Sequence, residues 1–376
     1  MLFSLKLYDT ELISFELIRD SRELCQCKIF HVNDSATHLM PRGTNLEDQS
    51  IAAWIKERFI PCNREFQENI LTACGIAPDN IPELIRVSKA LSLNDCYWIT
   101  EKDFKGSFKN FNLFENPFNS EIGKIAFTGS GTLEKCDFFI SPELTTGGTL
   151  RKAWRRVKGK TCLFKGGTSG DINLGFEPYS ELYASQIADA LKLNHLPVTL
   201  VAWENAIASV SELFTSIDFS FVPMAHFSPR GTLQEISGFL KKLGRGYFDA
   251  FADMMIFDAL IFNTDRHLKN FGLLVDNKTN QPCAFAPLFD HGLSLFNFAM
   301  PEQFDDLEKY SENCFPFFDF SFDETVQMFI TPWHKNLLKK LQRFTFEIPR
   351  CGFHAPRRVK ALENFIHARA ASLLKF

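Results

Sequence analysis

Three oxygen-bearing side chains in the second half of the chain have the types and spacing needed for phosphate chemistry. Asp265 and Asn270 lie five positions apart, as in the pattern D-x-x-x-x-N, and Asp290 lies two residues before Gly292, as in D-F-G. One carboxylate can orient an attacking hydroxyl, while an amide oxygen and a second carboxylate can hold the magnesium ion that offsets phosphate charge. The sequence therefore predicts phosphoryl transfer, with Asp265 as the catalytic residue and Asn270 and Asp290 as magnesium ligands.

The loop that contains Asp265 carries further polar side chains. Lys269 lies directly before Asn270, and we expect its ammonium group to act in catalysis by contacting the transferred phosphate. Asn263 and His267 are expected to brace the loop by hydrogen bonds. Phosphoryl transfer does not require a histidine base, so bracing is the preferred interpretation of His267.

Nucleotide phosphates also need a lysine on a rigid element. Lys165 follows the apolar stretch Thr161–Phe164, which predicts a short strand, and it precedes two glycines. A carboxylate on the following helix usually holds such a lysine in place. Glu181 is the predicted partner and Glu177 the competing one, since either glutamate would also favour the N-terminus of that helix.

A polar turn at Thr145–Thr149 offers backbone N–H groups that can bind phosphate. Thr146, Gly147 and Gly148 are therefore predicted to contact ATP. The glycine spacing matches neither G-x-G-x-x-G nor G-x-x-x-x-G-K-[ST], so the turn is a weak signal without the downstream residues.

A second nucleotide contact is predicted at Phe221–Met224, which we interpret as the hinge between two lobes. Backbone groups of Val222 and Met224 are expected there to read adenine. A plain connector would have the same sequence, so this assignment depends on the phosphate-binding residues.

Apolar periodicity divides the chain into three segments, 1–135, 136–225 and 226–376. The first is expected to be an accessory or interaction region that begins with strands at Leu2–Leu7 and Leu12–Leu17 and continues with helices. The second should be a β-rich kinase N-lobe and the third a helical C-lobe. The predicted fold is thus α+β: a protein-kinase-like two-lobed fold with an additional N-terminal α/β region.

In the last two segments, alternation and helical spacing predict specific elements. The strands are expected at Asp137–Ile140, Thr161–Phe164, Val198–Trp203, Ala206–Leu213, Phe219–Met224, Phe271–Val275 and Ala284–Phe289, and the helices at Tyr179–Leu191, Phe248–Phe262 and Pro356–Leu374. The last two strands form a hairpin that should return Asp290 to the side of Asp265 and Asn270.

Composition narrows the class of protein further. The 376 residues carry a formal net charge of −4, and residues 51–100 hold five Lys or Arg against six Asp or Glu, so direct nucleic-acid binding is not expected. The chain shows no apolar run long enough for a membrane span and no signal peptide. Its 10 cysteines form no zinc or disulfide pattern, so most are expected to be buried in a reducing cytosol.

Two runs of sequence resemble a known family. NTDRHLKNFG, from Asn263 to Gly272, and FDHG, from Phe289 to Gly292, look like the C-terminal domain of HipA-type serine/threonine kinases, the toxins of bacterial toxin–antitoxin pairs. The resemblance extends more loosely over residues 136–376. The segment Ser180–Leu193 is similar to the family's glutamate-bearing helix, which favours Glu181 over Glu177.

The resemblance implies a kinase-like fold, the cofactors ATP and Mg²⁺, transfer to a Ser or Thr of a protein substrate, and an antitoxin as a partner. The phosphate loop of the family carries a serine that can be autophosphorylated, which ejects the loop and silences the enzyme. Thr145 falls nearest to that serine and Thr146 is adjacent, so both are candidate autophosphorylation sites. The loop sequence GGTLRK and the first 135 residues depart from the family pattern.

Two other functions stay open at this stage. A small-molecule phosphotransferase on a related fold would use the same aspartate and asparagine. A regulatory or DNA-associated protein would sense nucleotide without turning it over, and the helices of the leading region motivate that alternative.

Overall fold

The computed structural model describes residues 1–19, 25–78, 80–133, 139–170, 173–352 and 355–376. The strand predicted at Asp137–Ile140 begins outside these residues. Its last two positions, Phe139 and Ile140, are described and lie in no strand.

The first part of the chain alternates short strands and helices. They are β1 (Leu2–Leu7), β2 (Thr10–Arg19), β3 (Cys25–Val32), α1 (Asp48–Glu57), α2 (Gln67–Ala73), α3 (Ile81–Ser88), β4 (Tyr97–Glu101), α4 (Phe108–Phe111), α5 (Ser120–Thr128), β5 (Lys152–Val157) and β6 (Lys160–Gly166), with 3₁₀ turns at Asp34–Leu39 and Pro142–Thr145.

The second part is richer in helix. Its elements are α6 (Glu177–Leu191), β7 (Val198–Trp203), β8 (Ala206–Glu212), β9 (Phe219–Pro223), α7 (Leu233–Leu243), α8 (Arg245–Ile261), β10 (Gly272–Asp276), β11 (Gln281–Phe285), α9 (Leu307–Ser311), α10 (Phe322–Phe329), α11 (Pro332–Leu338) and α12 (Pro356–Leu373), with 3₁₀ turns at Met224–His226, Pro301–Asp305 and Lys339–Arg343.

These elements form two compact units. The first unit contains residues 1–165, 213–222 and 274–283, and the second contains 166–212, 223–273 and 284–376. The boundaries of the three segments predicted from the sequence differ from those of the two units, because β5 and most of β6 belong with the leading region. The first unit also takes in the tip of the β10–β11 hairpin, which a linear reading of the chain cannot assign.

The first unit is built on an antiparallel sheet with the order β3-β2-β1-β4. Apolar residues alternate along β1, so that Phe3, Leu5 and Leu7 are buried on one face. Phe3 lies opposite Phe15 of β2, and their rings stack with centroids 5.8 Å apart. The two strands predicted for the start of the chain are therefore confirmed.

The core of the second unit surrounds α8, in which Phe251, Met254 and Phe257 are fully buried. The predicted apolar stripe of the last helix is also confirmed as a core face: Val359, Leu362, Ile366, Ala370 and Leu373 are buried. α7 and α8 are joined by Gly244, whose φ of +143° favours glycine. This buried framework fixes the C-terminal end of α8, where the polar loop begins.

The hairpin that follows this loop differs from its prediction in register. The second strand was expected at Ala284–Phe289, whereas β11 covers Gln281–Phe285. The reason is the tight turn after β10, in which Asn280 adopts a φ of +53° and Asp276 accepts hydrogen bonds from the Lys278 and Thr279 N–H groups at 2.9 and 2.8 Å. The turn returns the chain earlier, and beyond β11 Leu288 forms an isolated parallel bridge with His195 instead of extending the strand.

The tip of this hairpin is held by the leading region. The Asn280 side chain donates to the carbonyl oxygens of His38 and Met40, both at 2.9 Å, and Arg42 donates to the Asn280 carbonyl. At the other side of the turn, the Asn277 side chain donates to the Ile217 carbonyl at 3.0 Å. The predicted polar turn is therefore not a solvated loop but a buried anchoring point.

Two composition-based expectations have different outcomes. Among the described cysteines only Cys27 and Cys96 are buried, so the expectation that most are buried is wrong; these small side chains tolerate half-exposed positions.

Among the described residues, no helix combines the length and apolar character that crossing a bilayer requires.

The anchoring of the hairpin predicts a stability change. Asn280→Gly keeps the left-handed backbone but removes two buried donors, so urea titration should show a free energy of unfolding lower by about 2 kcal/mol. Asn205→Gly is the matched control, since Asn205 has a φ of +60° in the exposed β7–β8 turn. Equal stability of the two variants would show that the hairpin tip is not anchored through its side chain.

Candidate active site

The loop that carries Asp265 begins where α8 is forced to end. Phe262 adopts a φ of +53°, a left-handed conformation that a residue with a side chain reaches at a cost of about 1–2 kcal/mol. Its ring packs against Phe322 at 4.7 Å and Phe296 at 5.4 Å between centroids. This packing holds the backbone reversal in place, and the chain leaves the helix as the loop Asn263–Phe271.

A buried ion pair fixes the loop to the helix. Arg266 donates from Nε to Asp258 Oδ2 at 2.8 Å and from Nη2 to Asp258 Oδ1 at 3.0 Å, and both side chains are at most 5% exposed. Asn263 also donates to Asp258 Oδ1, at 2.9 Å. A bidentate pair of this kind sets the orientation as well as the position of the guanidinium.

The remaining nitrogen of Arg266 connects the two metal-ligand candidates. Nη1 donates to the Asn270 carbonyl at 2.8 Å and to the Phe289 carbonyl at 2.7 Å. Phe289 is the residue before Asp290. Arg266 therefore holds the backbone at Asn270 and the backbone next to Asp290 around one guanidinium, while the convergence of their side chains on a metal ion stays a prediction.

Asp265 lies half-buried at the centre of this arrangement. Its N–H donates to Asn263 Oδ1 at 3.2 Å, and Asn270 Nδ2 donates to the Asp265 carbonyl at 2.9 Å and to its carboxylate at 3.3 Å. Burial raises the pKa of Asp265, the nearby charge of Asp290 raises it further, and His267, Arg266 and Asn270 oppose the rise. The charge of Asp290 therefore acts unfavourably on the Asp265 carboxylate.

This donor set fits a hard divalent cation. It consists of carboxylate oxygens and one amide oxygen, the ligands that magnesium prefers. Because Asn270 Nδ2 faces Asp265, its Oδ1 is the atom suited to a metal. A cation beside Asp290 would also relieve the repulsion that raises the pKa of Asp265.

Asp290 is held in an uncommon backbone conformation. Its φ is +62°, in the left-handed region that non-glycine residues rarely adopt. The next small residue, Gly292, lies against Glu177, because a Cβ placed on the glycine would come within 3.3 Å of Glu177 Cβ. Backbone strain next to a close approach of two elements is typical of functional sites.

The two glutamates of α6 have different surroundings. Glu177 accepts hydrogen bonds from the Thr168 hydroxyl and, at 3.2 Å, from the Thr168 N–H, so it secures the glycine-containing stretch after β6. Glu181 is buried one turn further along, and it acts electrostatically on Arg266 together with Asp290. This difference agrees with the preference for Glu181 as the functional glutamate, while its pairing with Lys165 stays a prediction.

The remaining residues of the loop have the structural roles expected of them. His267 Nδ1 accepts a hydrogen bond from the Lys269 N–H at 3.2 Å, and the Asn270 N–H donates to the His267 carbonyl at 2.8 Å. His267 and Asn263 therefore brace the loop as predicted. Lys269 is exposed, and its contact with phosphate stays a prediction.

The predicted phosphate loop lies in the first unit. Gly147, Gly148 and Thr149 are exposed, and Gly148 has a φ of +84°. Lys152 Nζ lies against the open side of Gly148, and Lys152 is the direct cross-strand partner of Lys165. Directly opposed residues share one face of a sheet, so Lys152 and Lys165 lie on the same face. The role predicted for Lys165 stays a prediction, and sequence reasoning did not single out Lys152.

The two candidate threonines are engaged by the protein. Thr145 is 7% exposed, belongs to the 3₁₀ turn rather than to the exposed loop, and donates its hydroxyl to the Leu91 carbonyl at 2.6 Å. Thr146 donates to the Pro142 carbonyl at 2.7 Å and accepts from Trp154 Nε1 at 3.1 Å. Autophosphorylation of either residue stays a prediction, and it requires this turn to change conformation.

At the predicted hinge, the chain passes from the first unit to the second. The first unit includes residues up to Val222 and the second resumes at Pro223. Met224 starts a 3₁₀ turn instead of ending β9, is fully buried, and donates its N–H to the Phe271 carbonyl at 2.9 Å. That N–H is therefore already used, and the reading of adenine by Val222 and Met224 stays a prediction.

Comparisons with known proteins agree with this geometry. Residues 129–305 match the family model described as HipA-like C-terminal domain. HipA of Shewanella oneidensis MR-1, solved with HipB and its operator DNA, superposes with a TM-score of 0.59 at 14% identity, covering 100% of this chain and 98% of that one. The Helicobacter pylori proinflammatory kinase CtkA gives a TM-score of 0.48 at 15% identity, covering 61% of this chain and 90% of that chain. None of the curated proteins matches in sequence.

The fold is α+β and of the protein-kinase type, as the sequence predicted. Residues 129–305 of this chain match the model of a HipA-like C-terminal domain, and the resemblance stated from the motifs is confirmed over that range.

The contacts of the Arg266 guanidinium predict that its removal causes a large loss of stability. Arg266→Met leaves Asp258 buried with one remaining donor and frees two carbonyls, so the free energy of unfolding in urea should fall by about 3 kcal/mol or more. Arg245→Met is the control, because Arg245 pairs with Asp249 while 92% exposed, and its loss should change stability by less than about 0.5 kcal/mol. Similar losses in both variants would contradict the central role of Arg266.

Proposed function

We propose that this protein is an ATP- and magnesium-dependent protein serine/threonine kinase of the HipA-like type that acts as a growth-inhibiting toxin in the cytoplasm. The observation that carries the proposal is that the buried Arg266 binds the Asn270 carbonyl and the carbonyl next to Asp290, and that Asn270 in turn donates to Asp265. The HipA-like domain over residues 129–305 supports the same class.

In this proposal Asp265 accepts the hydrogen bond of the incoming Ser or Thr hydroxyl and takes its proton. Burial raises the pKa of Asp265, which makes the carboxylate a stronger base than an exposed aspartate. The hydrogen bond from Asn270 Nδ2 keeps the carboxylate oriented. Lys269 contacts the transferred phosphate, and Lys165 and Lys152 bind phosphate oxygens.

Asn270 Oδ1 and the Asp290 carboxylate are the proposed magnesium ligands. When bound, the ion would neutralise charge that builds on the phosphates. The chain would contribute by holding the backbone at both ligands in place through Arg266. The loop Thr146–Gly148 binds the phosphates, and backbone groups near Val222 bind the base.

The proposed partners are a protein substrate and an antitoxin. The Shewanella HipA was solved with HipB and operator DNA, which supports an antitoxin for this chain by analogy of fold. Direct DNA binding is not proposed, because the net charge is −4 and the leading region has no excess of basic residues. The complete catalytic set disfavours a sensor without turnover, and a small-molecule acceptor becomes an outcome of the first test.

The first test measures phosphate transfer. The full chain with labelled ATP and magnesium should label Ser or Thr of bacterial proteins, and Asp265→Asn should lower the rate at least about 100-fold because the hydroxyl loses its base. Asp276→Asn is the control, since Asp276 caps the hairpin turn outside the site. Equal labelling by Asp265→Asn would refute the catalytic assignment. ADP release with metabolites and no labelled protein would favour the small-molecule alternative.

The second test concerns the metal. EDTA should abolish transfer and excess magnesium should restore it. Asp290→Asn should raise the magnesium concentration needed for half-maximal rate by about tenfold or more, because it removes the only charged ligand proposed for the ion. Turnover that persists in chelator, or an unchanged magnesium requirement in Asp290→Asn, would contradict the assignment of these ligands.

A further inference from the structure

The exposed phosphate loop rests on a base supplied by a distant stretch of sequence, Ile60–Glu65. The Ile60 N–H donates to the Leu144 carbonyl at 2.9 Å, before the loop, and the Glu65 N–H donates to the Thr149 carbonyl at 2.7 Å, after it. The Arg151 N–H returns a hydrogen bond to Glu65 Oε2 at 3.2 Å. Both flanks of the loop are therefore tied to one segment of the leading region.

Arg64 lies at the centre of this base. Its Nη1 donates to the carbonyls of Glu143 and Thr146 at 3.1 and 3.0 Å. Its Nη2 donates to Glu143 Oε2 and to the Lys152 carbonyl, both at 2.8 Å. One guanidinium, 3% exposed, thus holds the backbone on both sides of Gly147 and Gly148.

Glu143 completes the base because its two carboxylate oxygens bind two different groups. One carboxylate oxygen pairs with Arg64 and the other accepts the Trp154 N–H at 2.7 Å, so it also fixes the start of β5. The side chain of Glu143 is 1% exposed. The base is therefore buried, with both Nη atoms of Arg64 and both carboxylate oxygens of Glu143 hydrogen-bonded, whereas the tip at Gly147–Thr149 is open to solvent.

An exposed tip on a rigid base is what an anion-binding loop needs. A mobile loop must lose conformational freedom when it closes on a ligand, and that loss weakens binding. A loop that is already ordered avoids the loss and presents its backbone in one arrangement. The contacts around Arg64 supply this order from outside the loop.

We propose that Arg64 is a positioning residue that pre-forms the loop Thr146–Thr149 for the phosphates of ATP. The inference rests on the proposed function, since it takes a nucleoside triphosphate as the ligand of the loop. It assigns a role to a region for which the motifs give none.

Arg58 offers a matched control. It is also a buried arginine of the leading region, pairing with Asp95 at 2.7 and 2.9 Å and donating to the carbonyls of Ala90 and Tyr97. None of these partners belongs to the phosphate loop. Arg58→Met therefore removes a comparable buried ion pair without touching the base of the loop.

The experiment compares full-length Arg64→Met with Arg58→Met, both first matched for folding by circular dichroism. We expect Arg64→Met to raise the KM for ATP about tenfold while kcat changes less than about threefold, because ordering the loop becomes part of binding. Arg58→Met should leave the KM within about twofold of the parent. Amide hydrogen exchange at residues 145–151 should accelerate in Arg64→Met alone.

A second variant tests the same proposal in case Arg64→Met does not fold. Glu143→Gln keeps the volume and the acceptor for Trp154 but removes the charge that pairs with Arg64, and it should raise the KM in the same direction by a smaller factor. Equal KM values and equal exchange in the Arg64 and Arg58 variants would overturn the proposal. A parent chain that binds no ATP, with exchange still faster only in Arg64→Met, would overturn the proposed function and limit Arg64 to ordering the loop.

Discussion

The candidate site depends on one buried interaction, the pairing of Arg266 with Asp258. A guanidinium has five donors in a fixed plane, and here they serve one carboxylate and two carbonyls that belong to different parts of the chain. Removing both charges from water is costly, and the bidentate geometry with two further hydrogen bonds offsets that cost. As a result Asn270 and Asp290 are brought together by a residue that does no chemistry itself.

The loop that carries Asp265 and the predicted phosphate loop are held in place by different kinds of contact. In the second unit the backbone is strained at Phe262 and Asp290, and packing of the Phe262 ring and the contacts of Arg266 hold that strain. In the first unit the phosphate loop is unstrained except at Gly148, and a buried arginine holds its base. Release of this loop by phosphorylation at Thr145 would break the hydrogen bond of the Thr145 hydroxyl to the Leu91 carbonyl and the one that Arg64 donates to the Thr146 carbonyl.

The leading region binds two other elements of its own unit, the predicted phosphate loop and the tip of the β10–β11 hairpin. It holds the phosphate loop through Arg64 and the tip of the β10–β11 hairpin through the carbonyls that Asn280 binds. That hairpin is the covalent link between Asn270 and Asp290. A region without chemical motifs is thus joined by hydrogen bonds to the predicted phosphate loop and to the hairpin that links Asn270 to Asp290.

The sequence by itself determined the types of several elements and named a candidate chemical set. The alternation of Phe3, Leu5 and Leu7 in β1 and the apolar stripe of α12 are local patterns, and each predicted its element correctly. The spacing of Asp265, Asn270 and Asp290 is also a local pattern, and the chemistry that it predicts stays a prediction. Only the tertiary structure decided which residues support that set. Arg64, Asp258 and Arg266 are isolated charges in the sequence, and their partners lie 4 to 88 positions away. The β11 register and the division into units also depended on buried contacts between distant segments, such as Asn280 with His38, because hydrogen bonds over such separations leave no periodic trace in the chain.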